Sequence, residues 1–534
     1  MQKTTNYLLF IGFAMCLLQV WWPEYYLTGD GPCHVYNAQI LHDLWSYNKD
    51  TDFYLHFYKL LYQPNPNWLS TIIIALLLFV VNGVIAEKIF LTLYVVLFVS
   101  GFYLLLRSIS NGKSNWVLVL FIFVFPHVLA KGFYNFSFSI AFFFWVVWSW
   151  LRFLEKKSVI NGILFFLFIA LVFFTHLLSF GFAAFTCAAL VLSYGIAGSR
   201  GDKKFATGYS VKQFGILALF LAPFIILMGW FTEKEGGLQI TLHHHFYRLV
   251  ELVQLKYLMN VSQSENVFLL CAGITLLLVF FITLIKLKGR WEVSKYDGFL
   301  ISLLFAVFIY LFFPESFLGR LILINMRVEL FVAILLICCI SYRLQGVKII
   351  NAGAIVIYSC FICLIVIRVH WMSKISGGVV DYLSVEKYIN PYSVVLPLDF
   401  SPSGNDEHGD IIADGNFVYS HASEYMGLKK PLIILDNYEA NMGYFPLRWN
   451  SGINPYDHLS KEEGIEGVPP YAMIRKYKQE TGVTIDYIVM WCYNKSFLQN
   501  EHFRALYTEI NEQYHIIYSS STGRTILYAL NKQP

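Results

Sequence analysis

Charge is the scarce commodity in this chain. Only 14% of its 534 residues are Asp, Glu, Lys or Arg, while 57% are hydrophobic. A soluble domain carries about 25% charge, so most of the chain is not built to face water. The net charge is +4 and no dense basic run exists, which excludes nucleic acid as a partner. Internal repeats and low-complexity segments are also missing. Seven of the nine cysteines fall inside apolar stretches, where a small buried hydrophobe is the expected role. Only Cys33 and Cys492 sit in polar segments, and a disulfide between them would require close approach. Acidic residues are nearly absent from the long apolar runs. That counts against a transporter, which carries midplane charges or broken helices, often in internal repeats.

What is present is membrane-like. Mean hydropathy is +0.55, and aromatics reach 18%, which suits lipid contact and interfacial belts. A membrane helix needs roughly 20 apolar residues. Stretches of about that size occur at Tyr7–Trp22, Phe90–Leu106, Trp116–Ala130, Ser137–Leu151, Val159–Thr175, Phe180–Ile196, Phe214–Phe231, Val267–Ile285, Phe299–Phe313, Val328–Ser341 and Lys348–Ile367. The first lacks a small-residue cleavage site and runs into Trp21-Trp22-Pro23, so it reads as a span and not as a removed signal. From the Phe90–Leu106 stretch onward, alternate loops hold 15 and 6 Lys and Arg residues. The richer set is expected to be cytoplasmic, which places the tail after Ile367 outside. Leu69–Ala86 is apolar but interrupted by Asn82 and Gly83. A full crossing there would break the charge parity, so a short re-entrant or surface helix is favoured. The expectation is about 11–12 transmembrane helices.

From about Arg368 the composition changes. Ser393–Leu398, Pro431–Leu435 and Ile485–Trp491 read as buried strands. Tyr514–Ser519 and Thr525–Leu530 flank Ser521-Thr-Gly-Arg524 as a hairpin, and Ser460–Thr481 has helical stretches. The expected organisation is therefore a helical membrane domain, 1–367, whose first extracytoplasmic loop is 23–68, followed by an extracytoplasmic α/β domain, 368–534.

On this topology polar groups gather on the extracytoplasmic side. The loop after the first span reads Asp30-Gly-Pro-Cys-His34. Lys131-Gly-Phe-Tyr134-Asn135-Phe lies between two spans, and Thr175-His176 ends another. Later loops hold His243-His-His245 with Tyr247 and Arg248, and Glu315, Arg320, Asn325 and Arg327. Ionisable groups at a membrane edge tend to mark a pathway or a reaction site.

A long first extracytoplasmic loop with an acid soon after the first helix resembles the GT-C superfamily of integral-membrane glycosyltransferases, which use polyprenyl-phosphate sugar donors. Asp30-Gly-Pro-x-His34 is similar to the acidic loop motif of its less-studied bacterial branches. Gly132-Phe-Tyr-Asn135-Phe and Thr175-His176-Leu-Leu resemble segments that recur there. The resembling hydropathy plan covers nearly the whole chain, and a C-terminal extracytoplasmic domain is common in that superfamily. It implies a multi-pass protein of a bacterial inner membrane that passes a sugar from a polyprenyl-phosphate donor to a glycan, glycolipid or protein acceptor. No cofactor is expected. This chain shows one acidic residue at the loop motif where many members have a pair, which leaves a divalent-metal requirement open.

The roles follow from chemistry. Asp30 would take the acceptor hydroxyl proton, with His34 beside it, and one carboxylate fits a single inverting displacement. Arg320 and Arg327, backed by Lys131 and Arg248, would meet the leaving phosphate. Tyr134, Asn135, His176, His421 and Arg448 are candidates for substrate contact, and Asp399, Asp436 and Glu439 for acceptor recognition. Each has a plainer reading. Asp30-Gly-Pro is a common turn sequence, His176 would be a hydrogen-bonded core histidine, and Arg320 and Arg327 would anchor at lipid head groups. Consecutive histidines on a helix diverge by about 100°, so His243–His245 are not expected to hold a metal. The alternative functions are a transporter or flippase of a lipid-linked intermediate, and a non-catalytic membrane scaffold.

Overall fold

The computed structural model describes residues 2–62, 65–110, 115–199, 201–232, 246–287, 292–314, 323–343, 348–405, 411–460 and 464–531. Arg320, Glu315 and His243–His245 lie outside these. The chain divides into two compact units. The first holds Met1–Leu18, Thr92–Val128 and Asn135–Ile367, and the second holds Gln19–Leu91, Leu129–Tyr134 and Arg368–Pro534. The loop expected at 23–68 therefore belongs to the same unit as the tail.

Among the described residues, eight helices are long and apolar enough to cross a membrane, by length and composition. They are Thr4–Trp21, Gly83–Ile109, Tyr134–Glu155, Leu177–Gly198, Lys203–Gly229, Gln263–Lys286, Ile324–Arg343 and Asn351–Tyr388. This is a polytopic helical protein with a sheet in its C-terminal part. Val159–Thr175 and Gly298–Phe312 are apolar but shorter. The stretch expected as a span at Trp116–Ala130 is broken. A 3-10 helix covers Asn115–Phe123, and one further turn covers His127–Ala130. Pro126 explains the division, because proline disfavours the helical conformation in the residue before it and has no N–H to give. Leu69–Leu77 is a separate nine-residue helix, and a new helix starts at Gly83. Unit one packs through aromatics. Phe182 stacks on Phe331 at 4.2 Å, and Phe102 on Phe144 at 4.5 Å.

Among its described residues, unit two contains seven strands: β1 (Tyr58–Leu60), β2 (Ser393–Asp399), β3 (Leu432–Ile434), β4 (Leu447–Trp449), β5 (Tyr487–Trp491), β6 (Tyr514–Ser519) and β7 (Thr525–Leu530). Five form one sheet in the order β3-β2-β5-β7-β6. β3, β2 and β5 are parallel, while β7 and β6 close the sheet as an antiparallel hairpin. The near-continuous apolar runs of β2 and β5 fit strands covered on both faces. Pro397 sits in β2 without breaking a ladder. β3 pairs only with Ser393–Val395, so at Pro397 the strand has a partner on one side alone. β1 pairs with β4 as a separate antiparallel ribbon.

The segment around Asp30 is not the turn its Asp-Gly-Pro sequence predicts. Gly31–Trp45 is a 15-residue helix with Asp30 at its N-cap and proline in its first turn. Both are start signals for a helix.

Candidate functional site

The site grows from two segments distant in sequence. Gly29 N–H donates to the Ala130 carbonyl at 3.0 Å, and Asp30 N–H to the Lys131 carbonyl at 2.9 Å. Gly132 has φ +88, and a Cβ there would lie 2.3 Å from the Asp30 nitrogen. Only glycine allows this approach. Gly31 is as confined, since a Cβ would meet the hydroxyls of Thr28 and Tyr134. The two polar motifs thus form one structure.

Asp30 occupies the N-cap position but its carboxylate makes no capping hydrogen bond. It remains partly exposed to solvent. Burial of its surroundings pushes its pKa up to about 7. The Tyr438 hydroxyl and the His34 charge act against that rise, Glu439 adds to it, and Lys131 opposes it. Lys131 is shifted downward by burial, against the pull of Asp30.

His34 lies one turn into the helix, and its amide donates to the Asp30 carbonyl at 3.2 Å. Its Nδ1 is 2.7 Å from Glu439 Oε1, and its Nε2 is 3.1 Å from the Gly132 carbonyl oxygen. The ring stacks on Tyr134 at 5.2 Å. Burial alone disfavours the charged ring. Glu439, Asp30 and the Gly132 carbonyl outweigh it and hold the pKa above the usual histidine value.

Glu439 itself is fully buried. Asn37 Nδ2 donates to its other oxygen at 2.9 Å, and Asn37 and Asn437 exchange side-chain hydrogen bonds. Tyr438 follows Asn437 and lies 4.8 Å ring-to-ring from His421. Burial, then the His34 charge, lowers the His421 pKa to about 4, so that ring is neutral. Asp436, Asn437, Tyr438 and Glu439 all come just after β3, at the carboxyl edge of the parallel strands, where α/β sheets present ligand-binding loops. Asp436 accepts from Ser423 Oγ at 3.0 Å, and burial raises its pKa. Asp399 ends β2. Burial pushes it to about 7 although Ser401 N–H donates to it at 2.8 Å.

A second layer supports Tyr134. Its hydroxyl donates to Glu87 Oε1 at 2.6 Å and accepts from Thr28 Oγ1 at 3.1 Å, while Tyr425 donates to Glu87 Oε2 at 2.6 Å. Thus Asp30, His34, Lys131, Tyr134, His421, Asp436 and Glu439 come together in unit two. Cys33 and Cys492 are both free thiols, and Cys33 lies 3.4 Å from Asn437 Oδ1. No disulfide joins them.

Unit one holds a different group. Arg327 lies over the Phe136 ring at 5.4 Å, and His176 meets the same ring edge-on at 5.0 Å. His176 Nδ1 also accepts from Leu178 N–H at 3.2 Å, capping the helix that follows it. Asn135 is buried in this unit. Arg248 is buried, and its guanidinium donates to the carbonyls of Tyr310 at 2.8 Å and Phe313 at 3.1 Å. It closes the end of the Gly298–Phe312 helix. Arg448 is exposed on the β1–β4 ribbon, paired in register with Lys59.

No protein-family model matches the chain, and no curated protein matches its sequence. Among the described residues no three His, Cys, Asp or Glu side chains are placed to hold a metal ion.

Sequence reasoning missed Glu87, Thr28, Asn37, Tyr425, Asn437 and Tyr438. An acid inside an apolar run is a signal in its own right, and Glu87 carried it. Tyr438 and Asn437 sit between two acids directly after a buried strand, which is also a readable signal.

Proposed function

We propose that this protein is a membrane glycosyltransferase of GT-C type. It moves a sugar from a polyprenyl-phosphate donor to a cell-envelope acceptor on the extracytoplasmic face, with inversion. Asp30 is the base. One observation carries the reading: an N-cap aspartate that leaves its helix uncapped, keeps solvent access and is pushed to about 7. A catalytic base works best with a pKa near the working pH. Lys131 is close enough to feel the Asp30 charge and supplies positive charge for a departing phosphate. The donor-side roles of Arg320 and Arg327 belong to this same proposal.

A second reading, a transporter or flippase of a lipid-linked intermediate, draws on two acids inside candidate spans. Glu87 and Glu329 are both buried and hydrogen-bonded.

The test is sugar transfer by purified protein in vesicles supplied with labelled polyprenyl-phosphate sugars. Asp30→Asn keeps the shape and removes the proton acceptor. Transfer should fall by about 10²–10⁴-fold, with insertion and thermal stability retained. Wild-type transfer by the folded variant removes Asp30 from the chemistry. Movement of intact lipid-linked sugar across the vesicle, without transfer, selects the transporter.

A further inference from the structure

The two nitrogens of His34 both face acceptors. The Gly132 carbonyl accepts only, so Nε2 must carry a proton. Nδ1 then faces Glu439 Oε1 at 2.7 Å. At that distance a bare ring nitrogen and a bare carboxylate would repel, so the pair holds a proton, although the two atoms are not aligned as a hydrogen bond. Asn37 holds the other Glu439 oxygen at 2.9 Å, and stacking on Tyr134 fixes the ring plane. Nothing in this arrangement needs a ligand to complete it, yet all of it is buried beside Asp30.

We propose that Glu439 is a positioning residue: through His34 it holds a protonated imidazole one helical turn from Asp30 and keeps that carboxylate in its base form. The inference rests on reading Asp30 as the base. The groups around the pair are few. Asp30 comes from its own helix, Lys131 from the facing segment, and Tyr438 and His421 from the tail. Glu424 and Glu87 also feel the charges of Asp30 and His34 respectively. A cation close to a carboxylate favours its ionised form. Glu439 is further removed in effect, acting on Asp30 less strongly than His34 does and in the opposite direction.

The probe is the proton itself. Infrared pH titration of the purified full-length protein in detergent follows the protonated-carboxyl band that Asp30→Asn abolishes. His34→Gln keeps a donor toward Gly132 and removes the cation while Glu439 stays. Asp30 should then hold its proton at least about tenfold more tightly, one pKa unit. Glu439→Gln is isosteric, and its amide donates to Nδ1. His34 should become neutral at neutral pH, read from the nitrogen shifts of histidine-labelled protein, and the Asp30 midpoint should rise by less than in His34→Gln. If His34→Gln does not fold, Glu439→Gln alone decides. An Asp30 midpoint unmoved or lowered in folded Glu439→Gln overturns the proposal, as does a neutral His34 in the wild-type protein at neutral pH. Sugar transfer is scored separately. A shifted midpoint without transfer from any donor removes the reaction and supports the pair, while transfer with an unmoved midpoint does the reverse.

Discussion

His34 Nε2 lies 3.1 Å from the carbonyl oxygen of Gly132, 98 residues further along the chain. That contact requires a proton on Nε2 and ties the start of the Gly31–Trp45 helix to the Leu129–Tyr134 segment. It depends on a backbone conformation, φ +88, that side chains strain. Gly132→Ala should therefore be costly twice over, through the left-handed φ and through the Cβ aimed at the Asp30 nitrogen. A strained non-glycine residue costs of order 1–3 kcal/mol before any clash. Thermal unfolding in detergent should show a clear loss for Gly132→Ala. Gly215→Ala is the control, because a Cβ there meets nothing within 4 Å. Equal behaviour of the two would show that the Gly132 conformation is not required.

Parts of this arrangement were legible from the residues alone and parts were not. The β6–β7 hairpin and the strands β2, β3 and β5 announce themselves by short apolar runs between turn residues. Asp30, His34, Lys131 and Tyr134 stand out as polar groups at the ends of apolar runs. Asp30-Gly31-Pro32 carries two messages, since the same three residues start a turn or a helix. Only the burial of Val35, Tyr36, Ile40 and Leu41 within unit two decides between them. The partnership of His34 with Glu439 was out of reach. Local pattern carries no information on which of many acids meets a given histidine across hundreds of residues.

Asp399 makes a pH prediction with a definite sign. Its carboxyl is pushed to about 7 by burial, against about 4 in an unfolded chain. Between those values the folded protein keeps a proton that the unfolded chain has lost. Stability therefore falls as pH rises through that window, and the full cost is present above it. Asp399→Asn removes the cost and still accepts from Ser401 N–H. Its gain in unfolding temperature over the wild type should be larger at about pH 8 than at about pH 5. The same gain at both would mean that Asp399 titrates normally.

Arg248 separates a structural role from a binding role. Two charge-assisted bonds to the carbonyls of Tyr310 and Phe313 hold a helix end. Hydrogen bonds to charged groups contribute about 1.5–3 kcal/mol. Arg248→Ala should lower thermal stability markedly, and the fraction that remains folded should keep its affinity for a polyprenyl-phosphate sugar. Wild-type stability with weakened donor binding would support the phosphate-contacting role instead.

Sidedness is the remaining expectation, and the whole proposal stands on it. The loops containing Arg152, Lys156, Lys157, Lys203, Lys204 and Lys212 belong to the cation-rich set, and Asp30 and the tail fall to the other side by alternation. Positive loops are retained in the cytoplasm as a bias of insertion. Fusions of a reporter active only after export should be silent at Gly201 and active after Leu398. A reporter active only in the cytoplasm should give the mirror result. Polyprenyl-phosphate sugars used for envelope assembly would then share a compartment with Asp30 and Lys131. An inactive export reporter after Leu398, together with an active one at Gly201, would put the carboxylate on the cytoplasmic side. The glycosyltransferase reading would fall with it, because base and donor would be separated by the bilayer.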